Sequence, residues 1–272
     1  MVGSMPTFRA CELCGHAAPQ LLWERNGYAI VACTGCGLRY VGQNPQDIDF
    51  AALYSEGYYT GASGKVFANY VGEERARRAD ARRKLWSMRW RKPRSGRLLD
   101  VGCAAGFFLV EAKRHFEPHG VEISEYSARV ARERFGLDVF NGTLQDAHFA
   151  PNSFDAITMW DVIEHLPDPK AVLIEASRIL KPGGTLVLTT GDIGSAYARR
   201  VGPHWHLLEP PWHLYYFSRA TMRAMGEAAG LRLKSCASRG VASDHRLWRS
   251  LPGRVVTNLL GLGDIMRMTF TK

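Results

Sequence analysis

Hydrophobic and polar positions change their period along the chain, and the changes mark its elements. Near the N-terminus, Leu21 to Glu24 and Tyr28 to Ala32 alternate around Asn26-Gly27. A two-residue Asn-Gly connection between alternating segments predicts a β-hairpin. Residues 44–72 break the pattern with Asn44-Pro45 and scattered aromatics, Leu53-Tyr54, Tyr58-Tyr59, Phe67 and Tyr70, among small polar residues, and read as a linker with short helices. Arg75 to Trp90 is predicted as a helix ended by Pro93 and followed by Ser95-Gly96. From Arg97 onward, short apolar runs alternate with helical stretches. The runs are Leu98–Val101, Pro118–Ile123, Asp138–Phe140, Phe154–Trp160, Gly184–Thr190, Leu231–Ser238 and Asp264–Thr271. Helices are predicted over Gly106–Phe116, from the Ser124 cap to Phe135-Gly136, and over Ser218–Ala229. Strand–helix alternation of this kind builds an α/β fold with a doubly wound, seven-stranded sheet.

With 272 residues the chain can form one such domain plus a small appendage, with a substantial core. No apolar stretch reaches the ~20 residues of a membrane span, and the N-terminus lacks the charged-then-apolar pattern of a secretory signal. A cytoplasmic protein without a membrane span is the expectation. The net charge of +9 is local: from Glu73 to Arg97 eleven Lys or Arg face three acids, a net of +8. Such a run is either a solvated helix face or a grip on a nucleic-acid backbone. Trp86 and Trp90 within it are expected to dock the helix on the body of the protein.

Cys11-x-x-Cys14-Gly15 and Cys33-x-x-Cys36-Gly37 are two C-x-x-C-G knuckles separated by 18 residues. Glycine after the second cysteine lets the backbone turn so that both thiolates face one ion, and two knuckles complete a tetrahedral sulfur site. Structural Zn2+ is the expectation; two disulfides are the alternative, disfavoured in a reducing compartment. Four thiolates close the site, so it stabilises folding and performs no chemistry. Cys103 and Cys236 are expected to be packed thiols.

The stretch Leu98-Leu99-Asp100-Val101-Gly102-Cys103-Ala104-Ala105-Gly106 reads as a buried strand, a glycine turn and a helix start. Glu122 closes the next strand twenty residues after Gly102, where a carboxylate can accept both hydroxyls of a ribose. A nicotinamide enzyme shows similar features, but its G-x-G-x-x-G spacing is absent here. The segment resembles the first motif of the class I S-adenosylmethionine-dependent methyltransferases, hydrophobic-D-x-G-C-G-x-G-x-F/L, with Ala104 where that family usually has glycine. The resemblance continues at Asp161-Val162-Ile163-Glu164-His165-Leu166-Pro167-Asp168-Pro169 and at Leu180-Lys181-Pro182-Gly183-Gly184-Thr185-Leu186, the latter read as the turn into the fifth strand. It implies a seven-stranded Rossmann-like methyltransferase sheet with a small N-terminal zinc ribbon. It also implies S-adenosyl-L-methionine as cofactor, held by Asp100, Gly102, Cys103, Ala104, Gly106, Glu122, Asp146, Trp160 and Asp161, with Asp146 against the adenine amino group.

Methyl transfer from a sulfonium needs an acceptor held in line and relieved of its proton. His165, just past a strand end and with an ordinary pKa near neutrality, is the first candidate base, and Asp161 and Glu164 could orient it. A histidine in a capping turn can equally be structural. The insertion Tyr197–Phe217 holds His204, Trp205, His206, Trp212, His213, Tyr215 and Tyr216. It reads as a substrate-selecting loop or as a lid packed by its own aromatics. Related zinc-ribbon methyltransferases resemble it in a His-Leu-Tyr-Tyr-Phe-Ser stretch, which makes His213 the second candidate base. Tyr59 or Tyr70 could cover the cofactor. The resulting division is a ribbon over 1–43, a helical linker and cofactor cover over 44–94, and a cofactor-binding domain over 95–272. O-methylation of a small-molecule acceptor leads. Nucleotide-sugar C-methylation, which the ribbon also resembles, RNA methylation through the basic helix, and a non-catalytic cofactor-binding module remain open. A second divalent ion beside Asp161, Glu164 and His165 is also open, as in the quinone-pathway O-methyltransferases that this stretch resembles.

Overall fold

The protein was described from a computed structural model that covers residues 8–48, 53, 71–88, 96–239 and 263–272. It carries two sheets. The smaller contains β1 (Gln20–Arg25), β2 (Tyr28–Ala32), β3 (Arg39–Val41) and β9 (Tyr215–Tyr216), in that order. β1 and β2 form the predicted antiparallel hairpin, with Asn26 and Gly27 at φ 52° and 78°. Those values suit a type I′ turn, whose twist matches that of the strands.

The larger sheet has seven strands in the order β10 (Arg232–Arg239), β11 (Ile265–Thr271), β8 (Leu180–Gly191), β7 (Phe154–Trp160), β4 (Arg97–Val101), β5 (Glu117–Glu122) and β6 (Asp138–Asn141). β4 runs parallel to both β5 and β7, and β5 parallel to β6. Strand order therefore reverses at β4: the chain first moves outward to β5 and β6 and then returns to β7 on the other side. The carboxyl end of β4 is the place where such sheets bind ligands. Leu98, Leu99, Ile157 and Met159 are buried on these central strands. The α-helices whose bounds lie within the described residues are α1 (Glu74–Ser87), α2 (Phe107–Ala112), α3 (Glu125–Phe135), α4 (Pro169–Ile179), α5 (Ala196–Val201) and α6 (Arg219–Ala228). Among the described residues, no helix is long and apolar enough to cross a membrane.

The chain groups into two compact units. One comprises residues 1–48, 163–173 and 189–268; the other comprises 49–162, 174–188 and 269–272. In the first, β3 pairs with β9, so the insertion supplies the fourth strand of the ribbon's sheet. The Arg9 guanidinium carbon lies 4.9 Å from the ring centres of both Tyr40 and Tyr215. Arg9 also donates to the Tyr215 hydroxyl at 2.8 Å, and that hydroxyl donates to the Pro167 carbonyl. In the second unit, α1 lies on α2. Ala81, Leu85 and Met88 join a cluster with Phe108, Leu109 and Ala112.

Several expectations need correction. Trp86 does not dock α1; it is 85% exposed, because the docking stripe of Ala81, Leu85 and Met88 follows the helical repeat and leaves Trp86 off it. Trp90, Tyr59 and Tyr70 lie outside the described residues. The helix after the glycine turn ends at Ala112 and not at Phe116, because the chain turns at Lys113 to bury Phe116 and to set Glu117 opposite Arg97. Pro182-Gly183-Gly184 does not precede the next strand but lies inside β8, with Gly183 at φ 75°. Cys236 is exposed on β10, whereas Cys103 is buried as expected.

Candidate functional site

In the first unit, the two cysteine knuckles fold alike. Gly15 and Gly37 sit at φ 74° and 78°, and their N–H groups donate to the Cys11 and Cys33 carbonyls at 2.7 and 2.9 Å. Left-handed backbone is what glycine permits, and it brings each cysteine pair to one point. The four sulfurs lie within 4.8 Å of one another, with Cys11–Cys36 and Cys14–Cys33 at 3.5 Å. A tetrahedral site with bonds of ~2.3 Å separates its sulfurs by about 3.8 Å. A disulfide would need a contact near 2 Å. The donor set therefore fits Zn2+. Burial raises the Cys33 thiol, but N–H bonds from Cys36 and Gly35 and the Cys14 thiol outweigh it and bring it down to about 7. Burial pushes the Cys11 and Cys36 thiols up instead, so the convergence of the four sulfurs carries the fit to a metal ion.

In the second unit, the turn after β4 is held from below by Glu122. Its Oε2 accepts the Ala104 N–H at 2.8 Å and its Oε1 the Ser124 N–H at 2.9 Å, and the residue is 4% exposed. A carboxylate at this strand end is the type of group that accepts the hydroxyls of a ribose. Gly102 and Gly106 have φ of 70° and 78°. Space also demands them: a Cβ on Gly102 would stand 2.7 Å from Val162, and one on Gly106 would strike Leu137. Ala104 keeps a left-handed φ of 47° without being glycine. Such a backbone costs an L-residue about 1–2 kcal/mol. The turn thus retains the conformation that glycine would supply, and the Glu122 bond pins it.

Asp100 is 2% exposed and accepts the Thr158 hydroxyl at 2.6 Å. Burial pushes its carboxyl up to about 7, against the Thr158 bond and the Lys84 charge. Trp160, at the end of β7, packs on Phe108 with ring centres 5.1 Å apart, and the Lys84 ammonium lies 4.9 Å from its ring centre. Its indole Nε1 is buried and has no hydrogen-bond partner among the described residues. An orphaned donor beside the switch point is what a ligand acceptor would satisfy. Asp161 follows with φ 57° and is exposed. Asp146 accepts both the Thr143 hydroxyl, at 2.6 Å, and the Thr143 N–H. These bonds hold it below the usual carboxylate range and fix the loop after β6. Ile123 escaped the sequence reading. It is 53% exposed, directly after Glu122, and offers an apolar surface beside the acid. An apolar residue one step past an acidic strand end was the available signal.

In the first unit, His165 and His213 come together, with ring centres 4.7 Å apart in an edge-to-face arrangement. His165 Nδ1 is 2.7 Å from the Trp212 carbonyl, and His213 Nδ1 is 2.6 Å from the Leu207 carbonyl. A carbonyl only accepts, so each Nδ1 carries a proton, and in the neutral ring the lone pair is on Nε2. Glu164 is buried, and its carboxylate and both imidazoles place ligand atoms within 4.8 Å of one another, a set that can also hold a cation. The Leu214 N–H donates to the Glu164 carbonyl, and the Val41 N–H donates to the Leu214 carbonyl. The ribbon strand β3 thereby connects to the histidine pair through the backbone. Sequence reasoning named both histidines but gave no sign of their proximity, since 47 residues separate them.

A glycine turn and an acid at adjacent strand ends, on a sheet whose order reverses there, define a nucleoside-cofactor-binding α/β protein. A family model described as a methyltransferase domain matches residues 71–235, and the chain belongs to that family. The ubiquinone biosynthesis O-methyltransferase of Idiomarina loihiensis is 36% identical over 103 residues, which are 35% of this chain and 42% of that protein. The chain thus spans about two fifths of that curated relative's length. Among solved structures, an S-adenosylmethionine-dependent methyltransferase of Thermotoga maritima, described as a possible histamine N-methyltransferase, is similar at 27% identity with TM-score 0.50. That match covers 65% of this chain and 82% of the other. A chain in the complex between the Trm112 methyltransferase activator and the putative methyltransferase of Haloferax volcanii shares the fold at 18% identity. Its TM-score is 0.57, over 74% of this chain and 94% of that one.

Proposed function

We propose that this protein moves a methyl group from S-adenosyl-L-methionine to a hydroxyl of a small-molecule acceptor, with His165 or His213 as general base. When bound, the cofactor supplies an electrophilic methyl on a sulfonium sulfur. Asp100, Gly102, Cys103, Ala104, Gly106, Glu122, Asp146, Trp160 and Asp161 are the residues assigned to hold it. Glu122 carries the most support, because it braces the glycine turn from the end of the adjacent strand. An acceptor hydroxyl taking the methyl would have to give up its proton, and the Nε2 of His165 or His213 would receive it.

The base assignment is supported by the pair of carbonyl anchors, which take both Nδ1 protons and make Nε2 the basic nitrogen of each neutral ring. The ubiquinone-pathway relatives support oxygen as the acceptor atom and a small molecule as the substrate. One structural Zn2+ on Cys11, Cys14, Cys33 and Cys36 completes the proposal, with 1–43 as ribbon, 44–94 as linker and 95–272 as the cofactor domain.

The test is transfer of labelled methyl from S-adenosyl-L-methionine into an extract of small metabolites. Loss of the base should lower turnover by about 10²–10⁴-fold in His165→Ala or His213→Ala. Undiminished turnover in both variants removes the base assignment, and absence of transfer to any acceptor favours a non-catalytic module.

A further inference from the structure

The second unit carries a cleft that the methyl-transfer reading does not use. A cavity of about 750 Å3 is lined by Arg75, Arg78, Arg82 and Glu74 from α1 and by Tyr126 and Arg134 from α3. Its lining includes none of the residues assigned to the cofactor. Three of the four guanidinium groups there share two carboxylates. Glu111 is 1% exposed, and its Oε1 accepts Arg78 Nε at 2.7 Å and Arg82 Nη1 at 3.0 Å. Glu74 takes Arg78 Nη1 at 3.1 Å and Arg134 Nη2. Among the described residues Arg75 has no side-chain partner, and Arg82 and Arg134 each commit one nitrogen.

The excess is chemical as well as electrostatic. Each guanidinium has five N–H donors in a planar fork, and most of those here are unspent on protein acceptors. Two positive charges remain uncompensated within one concave surface. A solvated helix face would spread its cations outward, whereas these line one cleft from two helices, and a buried acid holds Arg78 and Arg82. Guanidinium forks gathered around one concavity suit an anion with several oxygens and about two charges, and bidentate Arg–phosphate contacts match that demand. We propose that this cleft binds the diphosphate group of a small-molecule ligand. The assignment does not depend on the identity of the methyl acceptor or on the histidine pair.

Calorimetric titration of the full-length, metal-replete protein with sodium pyrophosphate, at ~50 mM salt to limit screening, tests the assignment. Wild-type protein should show saturable binding. Arg75→Gln should weaken it about tenfold, the loss of one charge-assisted contact, and Arg75→Gln/Arg134→Gln should abolish it. Arg75→Lys, which keeps the charge but not the fork, should fall between wild type and Arg75→Gln. Thermal melting and S-adenosylhomocysteine affinity should stay at wild-type values in the Arg75 variants, separating a lost ligand contact from a lost fold. No saturable heat with wild type up to ~10 mM pyrophosphate, or equal affinity in Arg75→Gln, overturns the proposal. Arg75-dependent binding of single-stranded RNA or of anionic phospholipid vesicles, without pyrophosphate binding, also overturns it, in favour of a macromolecular or membrane polyanion.

Discussion

Replacing Glu122 by Gln separates the observed brace of the turn from the proposed ribose contact. Its two oxygens accept the Ala104 and Ser124 N–H groups at 2.8 and 2.9 Å in a site that is 4% exposed. Glutamine keeps the shape but offers one oxygen and one NH2, so one backbone N–H then faces another donor. A hydrogen bond to a charged group contributes about 1.5–3 kcal/mol, and an abandoned buried donor adds its desolvation cost. The turn should lose about 2 kcal/mol, the more readily because Ala104 is held at a left-handed φ of 47° that it would not choose unaided. For a protein of this size that corresponds to a melting temperature lower by about 4–8 °C. Affinity for S-adenosylhomocysteine, measured by calorimetry well below the melting range, should fall about tenfold or more, because the ribose loses a charged acceptor. Unchanged affinity with a lowered melting temperature would refute the ribose assignment while sparing the brace. Wild-type melting would refute the brace itself.

Three other outcomes can be checked more simply. Asp100 titrates near 7 in the folded protein and near 3.9 when unfolded, so the folded state holds a proton that the unfolded state releases across that window. Its contribution to stability therefore falls as pH rises from about 4 to 7. Asp100→Asn should gain on wild type in melting temperature over that range, and a constant difference between the two would contradict the burial argument. Elemental analysis should find one zinc per chain, and a chelator under reducing conditions should lower the melting temperature. A metal-free protein with the same melting curve would rule out a structural ion. Trp86→Ser should alter stability by no more than about 0.5 kcal/mol in denaturant unfolding, since the ring is 85% exposed; a larger loss would place Trp86 in a contact.

Sequence made legible those features that rest on local chemistry. Asn26-Gly27 selects its turn, Ser124 accepts the Ser127 N–H, and Gly136 closes α3 at φ 57° because each residue's own preference decides the outcome. The knuckles were readable for the same reason, and so was Glu122, placed by its spacing from the glycine turn. Long-range pairing was not readable. Tyr215–Tyr216 is too short to show a period of two, so its partnership with β3 left no trace in the pattern. The exposure of Trp86 depended on which face of α1 meets α2, and composition does not encode that face. The meeting of His165 with His213 likewise depends on a backbone link, Leu214 to Glu164, that no motif announces.

The pairing of β3 with β9 bears on how the gene can be cut. A shortened protein lacking residues 1–43 would strip Tyr215 and Tyr216 of their ladder partner and of the Arg9 guanidinium that lies against Tyr215. An uncovered strand edge next to buried aromatics invites association with other copies. Excision of the ribbon should therefore yield inclusion bodies, and supplying the missing segment in trans as a separate metal-loaded peptide should restore solubility. The N-terminal segment would then act as an intramolecular chaperone for the insertion.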